Sequence, residues 1–232
     1  MRRIIQYFAA IAMLASAFIL LTTVITFAQS KPFAVANVHF EQNATDGDVE
    51  VVFEVKGGDY GLLELKVTSP DHRVVADISS HDASTLGLRQ FRFESPEPKD
   101  VAGLKAAYPE GAYTFSGTMS DGTKLSAKSS LNHTLPTPGT FLHPAPESED
   151  VAFAQLEVSW KPIKGLSGYI FEIENEETGN TLTVKLPADV TTFAMPPGYL
   201  EVETEYKISL GTVTANGNIS FVETTFSTGG EM

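Results

Sequence analysis

The residues able to do chemistry come first. Histidine is the usual proton-transfer group, and the chain has five: His39, His72, His81, His133 and His143. They are far apart in sequence, and no two stand at short metal-ligand spacing. His39 lies between Val38 and Phe40 in an alternating run, which predicts a solvent-facing strand position for it. Glu172 and Glu174 fall on one side of a strand. They would bracket a glycosidic bond only if a cleft faced them, so the reading is a solvated strand face. Gly165-Leu166-Ser167-Gly168 lacks the spacing of a nucleophile elbow and reads as a loop. Asp46-Gly47-Asp48, with Asp59 beyond, offers oxygens to a cation, but the calcium-loop pattern is absent and Asp-Gly is explained as a turn. Gly57-Gly58 is followed by no lysine and no helix start, so it is not a phosphate loop. With no cysteine, thiolate nucleophiles, thiolate metal sites and disulfides are excluded. The expectation is no catalytic, cofactor or metal site.

Charge narrows the partners. Sixteen basic residues against 29 acidic ones give a net charge of -13. Such a surface repels phosphate backbones and anionic lipid heads, so nucleic acid is excluded as a partner. The opening segment has the three parts of an export signal. Met1-Arg2-Arg3 is positive, Ala9 to Leu21 is apolar apart from Ser16, and Thr26-Phe27-Ala28 places small residues at a cleavage site. Residues 1–28 are therefore expected to be a signal peptide, with cleavage leaving Gln29 first and an exported protein in the periplasm or outside the cell. Cleavage removes two arginines and takes the charge to -15. The rival reading is an uncleaved anchor over residues 4–28, long enough to span a bilayer, and only then would the membrane be a partner. Three acceptor patterns for glycosylation occur, at Asn43-Ala44-Thr45, Asn132-His133-Thr134 and Asn218-Ile219-Ser220. No function is expected of them.

The elements that would position these residues are strands. Val49, Val51, Phe53 and Val55 alternate with Glu50, Val52 and Glu54. Leu63, Leu65 and Val67 repeat the pattern, as do Phe91 with Phe93 and Tyr113 with Phe115. Turn residues fall between them at Asp46-Gly47, Gly57-Gly58-Asp59, Pro70-Asp71, Pro109-Glu110-Gly111 and Asp121-Gly122. Val101, Leu104 and Ala107 recur at helical spacing, predicting one short helix within 100–108. Leu135-Pro136-Thr137-Pro138-Gly139 predicts a stiff connector, and Pro144 to Asp150 a loop or edge strand. The reading is all-β: an N-terminal antiparallel β-sandwich over 33–131 and a second over 138–230.

In the second half, Leu156-Glu157-Val158-Ser159-Trp160 is a strand ending in the single tryptophan, and Gly168-Tyr169-Ile170-Phe171-Glu172-Ile173 is another. Leu200-Glu201-Val202-Glu203-Thr204-Glu205-Tyr206 precedes a long strand, and Asn216-Gly217 between two strand-like runs is a hairpin signal. Residues 138–228 resemble a fibronectin type III domain in these features: a tryptophan on the second strand, a tyrosine on the third, and a leucine-x-proline-x-threonine-x-tyrosine corner. Val202 stands where the family has proline. The resemblance implies an immunoglobulin-like sandwich in which Trp160, Tyr169, Leu200 and Tyr206 are structural, with the Tyr206 hydroxyl bonded to main chain upstream. No second copy of these motifs occurs in 33–131, which predicts no tandem repeat. The first domain resembles one found in bacterial exported proteins ahead of a type III domain, a likeness without functional content.

The function expected is a non-enzymatic binding or interaction protein, with a protein or cell-envelope component as partner. A carbohydrate-binding accessory protein is the alternative and requires a row of exposed aromatics, for which Tyr60, Tyr108 and Tyr199 are candidates. A hydrolase with acids on the N-terminal domain is the second alternative, and a structural envelope component the third.

Overall fold

The computed structural model describes residues 30–80, 82, 87–98 and 100–230. The expected signal peptide over 1–28, its cleavage site included, and His81 lie outside the described residues. The first half contains β1 (Val35–Asn43), β2 (Asp48–Lys56), β3 (Leu62–Thr68), β4 (Val74–Ser79), β5 (Gln90–Glu94), α1 (Val101–Ala107), β6 (Gly111–Met119) and β7 (Lys124–Leu131). The second contains β8 (Phe141–His143), β9 (Ser148–Val151), β10 (Glu157–Trp160), β11 (Gly168–Asn175), β12 (Asn180–Pro187), β13 (Thr192–Ala194), β14 (Glu205–Val213) and β15 (Ile219–Thr228).

Alternation puts one face of each strand into a core. Val38, Phe40, Val51, Phe53, Leu65, Tyr113 and Phe115 fill the first, and Trp160, Tyr169, Phe171, Ile173, Leu210 and Phe226 the second. Each core lies between a three-strand and a four-strand layer. In the second half these are β13-β10-β8 and β12-β11-β14-β15, the sandwich implied by the resemblance. In the first half they are β1-β2-β5 and β4-β3-β6-β7, which is the same seven-strand order. The prediction of no repeat fails at this level: the motifs occur once, the topology twice. Even the corner has a counterpart, since Tyr113 donates its hydroxyl to Pro109 O at 3.2 Å. Burial pushes that phenol up to about 12, which keeps it a donor.

The two sandwiches are not merely strung together. β1 pairs in parallel with β15, matching Glu41 with Ile219, Gln42 with Ser220 and Asn43 with Phe221. The three-strand layer of the first half and the four-strand layer of the second thus become one sheet, β12-β11-β14-β15-β1-β2-β5. Strict antiparallel pairing fails at this seam, and again where β9 joins β15 as a parallel edge strand. The connector at 135–139 is held down rather than free. Pro136 O accepts from Ser220 Oγ at 2.8 Å, and Thr137 O from Thr212 Oγ1 at 2.9 Å.

The cap of the seam is Asn218, 1% exposed. Its Oδ1 accepts the Phe40 N–H at 2.9 Å, and its Nδ2 donates to Asn132 O and Thr134 O, each at 2.9 Å. Two of the three glycosylation patterns are therefore built into this clamp.

Trp160, Tyr169, Leu200 and Tyr206 are all buried. Tyr206 accepts the Glu201 N–H on its hydroxyl at 2.8 Å, and Tyr169 accepts that of Ile163 at 3.0 Å. Tyr206→Phe is expected to destabilise by about 1–2 kcal/mol, because the Glu201 N–H loses its partner. Equal urea midpoints for the two proteins would show that this bond adds nothing.

Candidate binding face

Cross-strand partners share a face of a sheet, so the register fixes which side each residue takes. Tyr169, Thr212, Ser220, Gln42 and Val49 form one such row across five strands. Tyr169 belongs to the second core and Val49 to the first. Both cores therefore lie on the same side of the joined sheet, and among the described residues no third layer covers its other side. The row Gly168, Val213, Ile219, Glu41, Glu50 crosses this open side, and Ile170, Gly211, Phe221, Asn43, Asp48 runs beside it.

Two depressions follow one another along the seam on this side. One, of about 290 Å3, includes Asn37, His39, Ile170, Lys185, Val213 and Ile219 in its lining. The other, of about 240 Å3, includes Glu41, Asp48, Glu50, Glu172, Phe221 and Glu223. The floor stays low where glycine is used. Gly211 has no room for a Cβ, which would sit 2.6 Å from the Phe221 ring lying over it. Gly217 takes φ +91 in the turn that delivers β15 to the seam.

His39 is 3% exposed, which corrects the expectation of a solvent-facing position. Alternation gave its side of the strand correctly. Asn37 and Glu41 on its own strand bond its ring, Val52 of β2 lies opposite it, and the turn at Gly217 comes close to its Cβ. Asn37 Nδ2 donates to Nδ1 at 3.2 Å, leaving Nε2 to donate to Glu41 Oε2 at 3.0 Å. Glu41 also meets Arg92 at 3.3 Å, and Arg92 pairs with Glu94. On the β15 side of the seam, Lys207 of β14 lies 3.4 Å from Glu223.

The carboxylates outnumber these cations. Glu50 faces Glu41 directly and has Asp48 and Glu94 beside it, with Arg92 the nearest base. Burial, then Glu94, Asp48 and Glu41 in that order, push its carboxyl from 4.5 up to about 7. Between these values the folded chain holds a proton that the unfolded chain releases, so stability falls as pH rises through this window. The cost is complete above pH 7 and absent below pH 4.5. Glu50→Gln is expected to raise stability at pH 8 by about 1–2 kcal/mol, allowing for solvent screening, and to change little at pH 4.5. Urea titrations at the two pH values check this; equal gains at both would remove the electrostatic cause.

The other candidates scatter. Glu172 accepts from Thr183 Oγ1 at 2.6 Å and sits on the open face. His133 Nε2 lies 2.9 Å from Tyr108 O in the first half. His72 takes φ +66 in the β3–β4 turn, and His143 ends β8. Asp46 accepts from Asn43 and from the Asp48 N–H, closing the β1–β2 turn. Among the described residues, no three His, Asp or Glu converge as metal ligands. Tyr60 is 63% exposed, whereas Tyr108 and Tyr199 pack against the two cores, so the three do not form a row. Sequence reasoning missed the seam, Asn218 and the acidic pairing of Glu41 with Glu50. Asn218 follows Asn216-Gly217 and reads there as one more turn residue.

No family model matches the chain, and no curated protein matches it. Several solved structures are similar. The fn3 domain of the human collagen alpha-1(XX) chain is 21% identical, covering 44% of this chain and 95% of that one, with a TM-score of 0.34. The fibronectin(III)-like modules of Clostridium thermocellum CbhA are 13% identical over 85% of this chain and 92% of that one, with a TM-score of 0.33. A two-domain fibronectin type III segment of chicken tenascin is 14% identical over 85% of this chain and all of that one, also at 0.33. The protein is all-β, and its second half has the fibronectin type III arrangement of strands.

Proposed function

We propose that this is an exported, non-enzymatic binding protein of two sandwich domains, 33–131 and 138–230, and that the open side of its joined sheet receives a protein or cell-envelope component. One observation carries the reading. Seven strands from both halves form a single face with no third layer among the described residues, and a groove follows its seam. Faces of this kind expose side chains held by a rigid ladder, which suits recognition. Among the described residues no helix is long and apolar enough to cross a membrane.

A photo-crosslinking residue tests the face in living cells. Placed at Glu172 on the groove, it should form an adduct with another protein, while the same residue at Glu64 on the β4-β3-β6-β7 layer should not. No adduct at 172, or equal adducts at both sites, would overturn the assignment. Export is checked by mass: Gln29 should be the first residue of the protein recovered outside the cytoplasm, and an intact Met1 in the membrane fraction would contradict cleavage.

A further inference from the structure

We propose that the seam groove receives an extended segment of a partner protein, about six residues long, basic at the end over Glu50 and Glu172 and apolar at the end over Ile170 and Val213. The inference rests on the binding face proposed above and adds the chemistry of its occupant.

Length comes from the strands that form the floor. The two depressions run along β1 from Asn37 to Asn43 and, beside it, from Gly217 in the turn before β15 to Glu223 on β15. Six residue steps of a strand span about 20 Å, the reach of an equally extended segment. The ends of the groove differ in character. At one, Ile170 and Val213 are part-exposed over the floor residue Ile219, and the rim charges Lys185 and Glu54 are opposite in sign. At the other, Glu223 and Glu41 already have cationic partners in Lys207 and Arg92. Asp48, Glu50 and Glu172 form no ion pair among the described residues, and Glu50 has no side-chain hydrogen bond there either. Three carboxylates without an ion-pair partner among the described residues therefore line one half of a groove, and Ile170, Val213 and Ile219 lie in the other. Burial first, and then the neighbouring carboxylates, hold the Glu50 carboxyl up near 7, and a cation laid there offsets both. A second copy of this chain is the wrong occupant, because its own charge of -13 opposes the approach.

Calorimetry with defined probes tests this. The probes are acetyl-KRKVLV-amide, its block-reversed form acetyl-VLVKRK-amide, the alternating acetyl-KVRLKV-amide and spermine. One block peptide should bind at least about tenfold more tightly than both the alternating peptide and spermine. The double variant E50Q/E172Q should weaken it by about tenfold, and E64Q should leave it unchanged. E50Q/E172Q loses repulsion and keeps the core, so its fold is secure. Equal binding of all four probes would reduce the site to general attraction for cations and overturn the proposal. So would the absence of binding, or binding indifferent to E50Q/E172Q. If the crosslink at 172 forms while the peptides fail, the face stands and only the basic-apolar segment is lost.

Discussion

Asn218→Ala is expected to destabilise the protein by about 3–5 kcal/mol and to do so at the seam rather than in either core. The wild-type amide satisfies the buried Phe40 N–H and the part-buried carbonyls of Asn132 and Thr134. Alanine leaves that donor and those acceptors without partners, and each buried unpaired group costs about 1–3 kcal/mol. Asn218→Asp separates the contributions. A carboxylate still accepts from Phe40, but it faces two carbonyl oxygens that need a donor, so at neutral pH it should be at least as damaging as alanine. Urea denaturation gives the magnitude. Hydrogen exchange gives the place, since the Phe40 amide should lose protection ahead of the core amides of β11 and β14. An unchanged midpoint, or uniform loss of protection, would show that the clamp does not hold the seam.

Trp160→Ala should cost about as much, roughly 3–5 kcal/mol, by a different cause. The indole is 1% exposed, stacks on Phe171 at 6.2 Å between ring centres and tilts against Tyr169 at 5.6 Å. Removing it opens a void between β10 and β11 that rigid neighbouring rings cannot fill. Trp160→Phe keeps an aromatic against Phe171 and should recover most of the loss. Urea midpoints for the two variants check this, and an alanine variant as stable as the parent would mean that the second core does not depend on its largest side chain.

These two residues were not equally visible in the sequence. Trp160 ends an alternating strand, and an aromatic in that setting is core by local pattern alone. The same holds for Val49, Val51, Phe53 and Val55, for the Asn216-Gly217 turn and for the short helix, whose start Asp100 caps by accepting the Gly103 N–H. Each is a property of neighbours along the chain. Asn218, His39 and the Glu41–Glu50 pair depend on which strand lies alongside, and β1 meets β15 across 178 residues. Nothing near Val38 or Ile219 marks that pairing, because a strand that gains a lateral neighbour alternates as it would at an edge. The repeated topology was hidden for a related reason. Tyr113 and Tyr206 both tie a corner to main chain, but Tyr113 donates to Pro109 and Tyr206 accepts from Glu201, so the two corners share geometry without sharing residues.

The parallel contact between β1 and β15 has a consequence for tension. The paired stretch is short, Glu41–Asn43 against Ile219–Phe221. From it β1 runs back toward Ser30 and β15 runs on toward Gly230, so the two leave the overlap in opposite directions. A pull applied to the chain at those two points slides one strand along the other. It does not peel them apart one bond at a time, so the ladder bonds of the overlap and those made by Asn218 are loaded together. Forced unfolding follows the rate of the first rupture, and that rupture must break the set at once. In a single-molecule experiment gripping residues 30 and 230, Asn218→Ala should therefore lower the first rupture force more than Trp160→Ala, although the two variants are about equally costly in urea. The seam would then act as the fastener that gives way before either sandwich does.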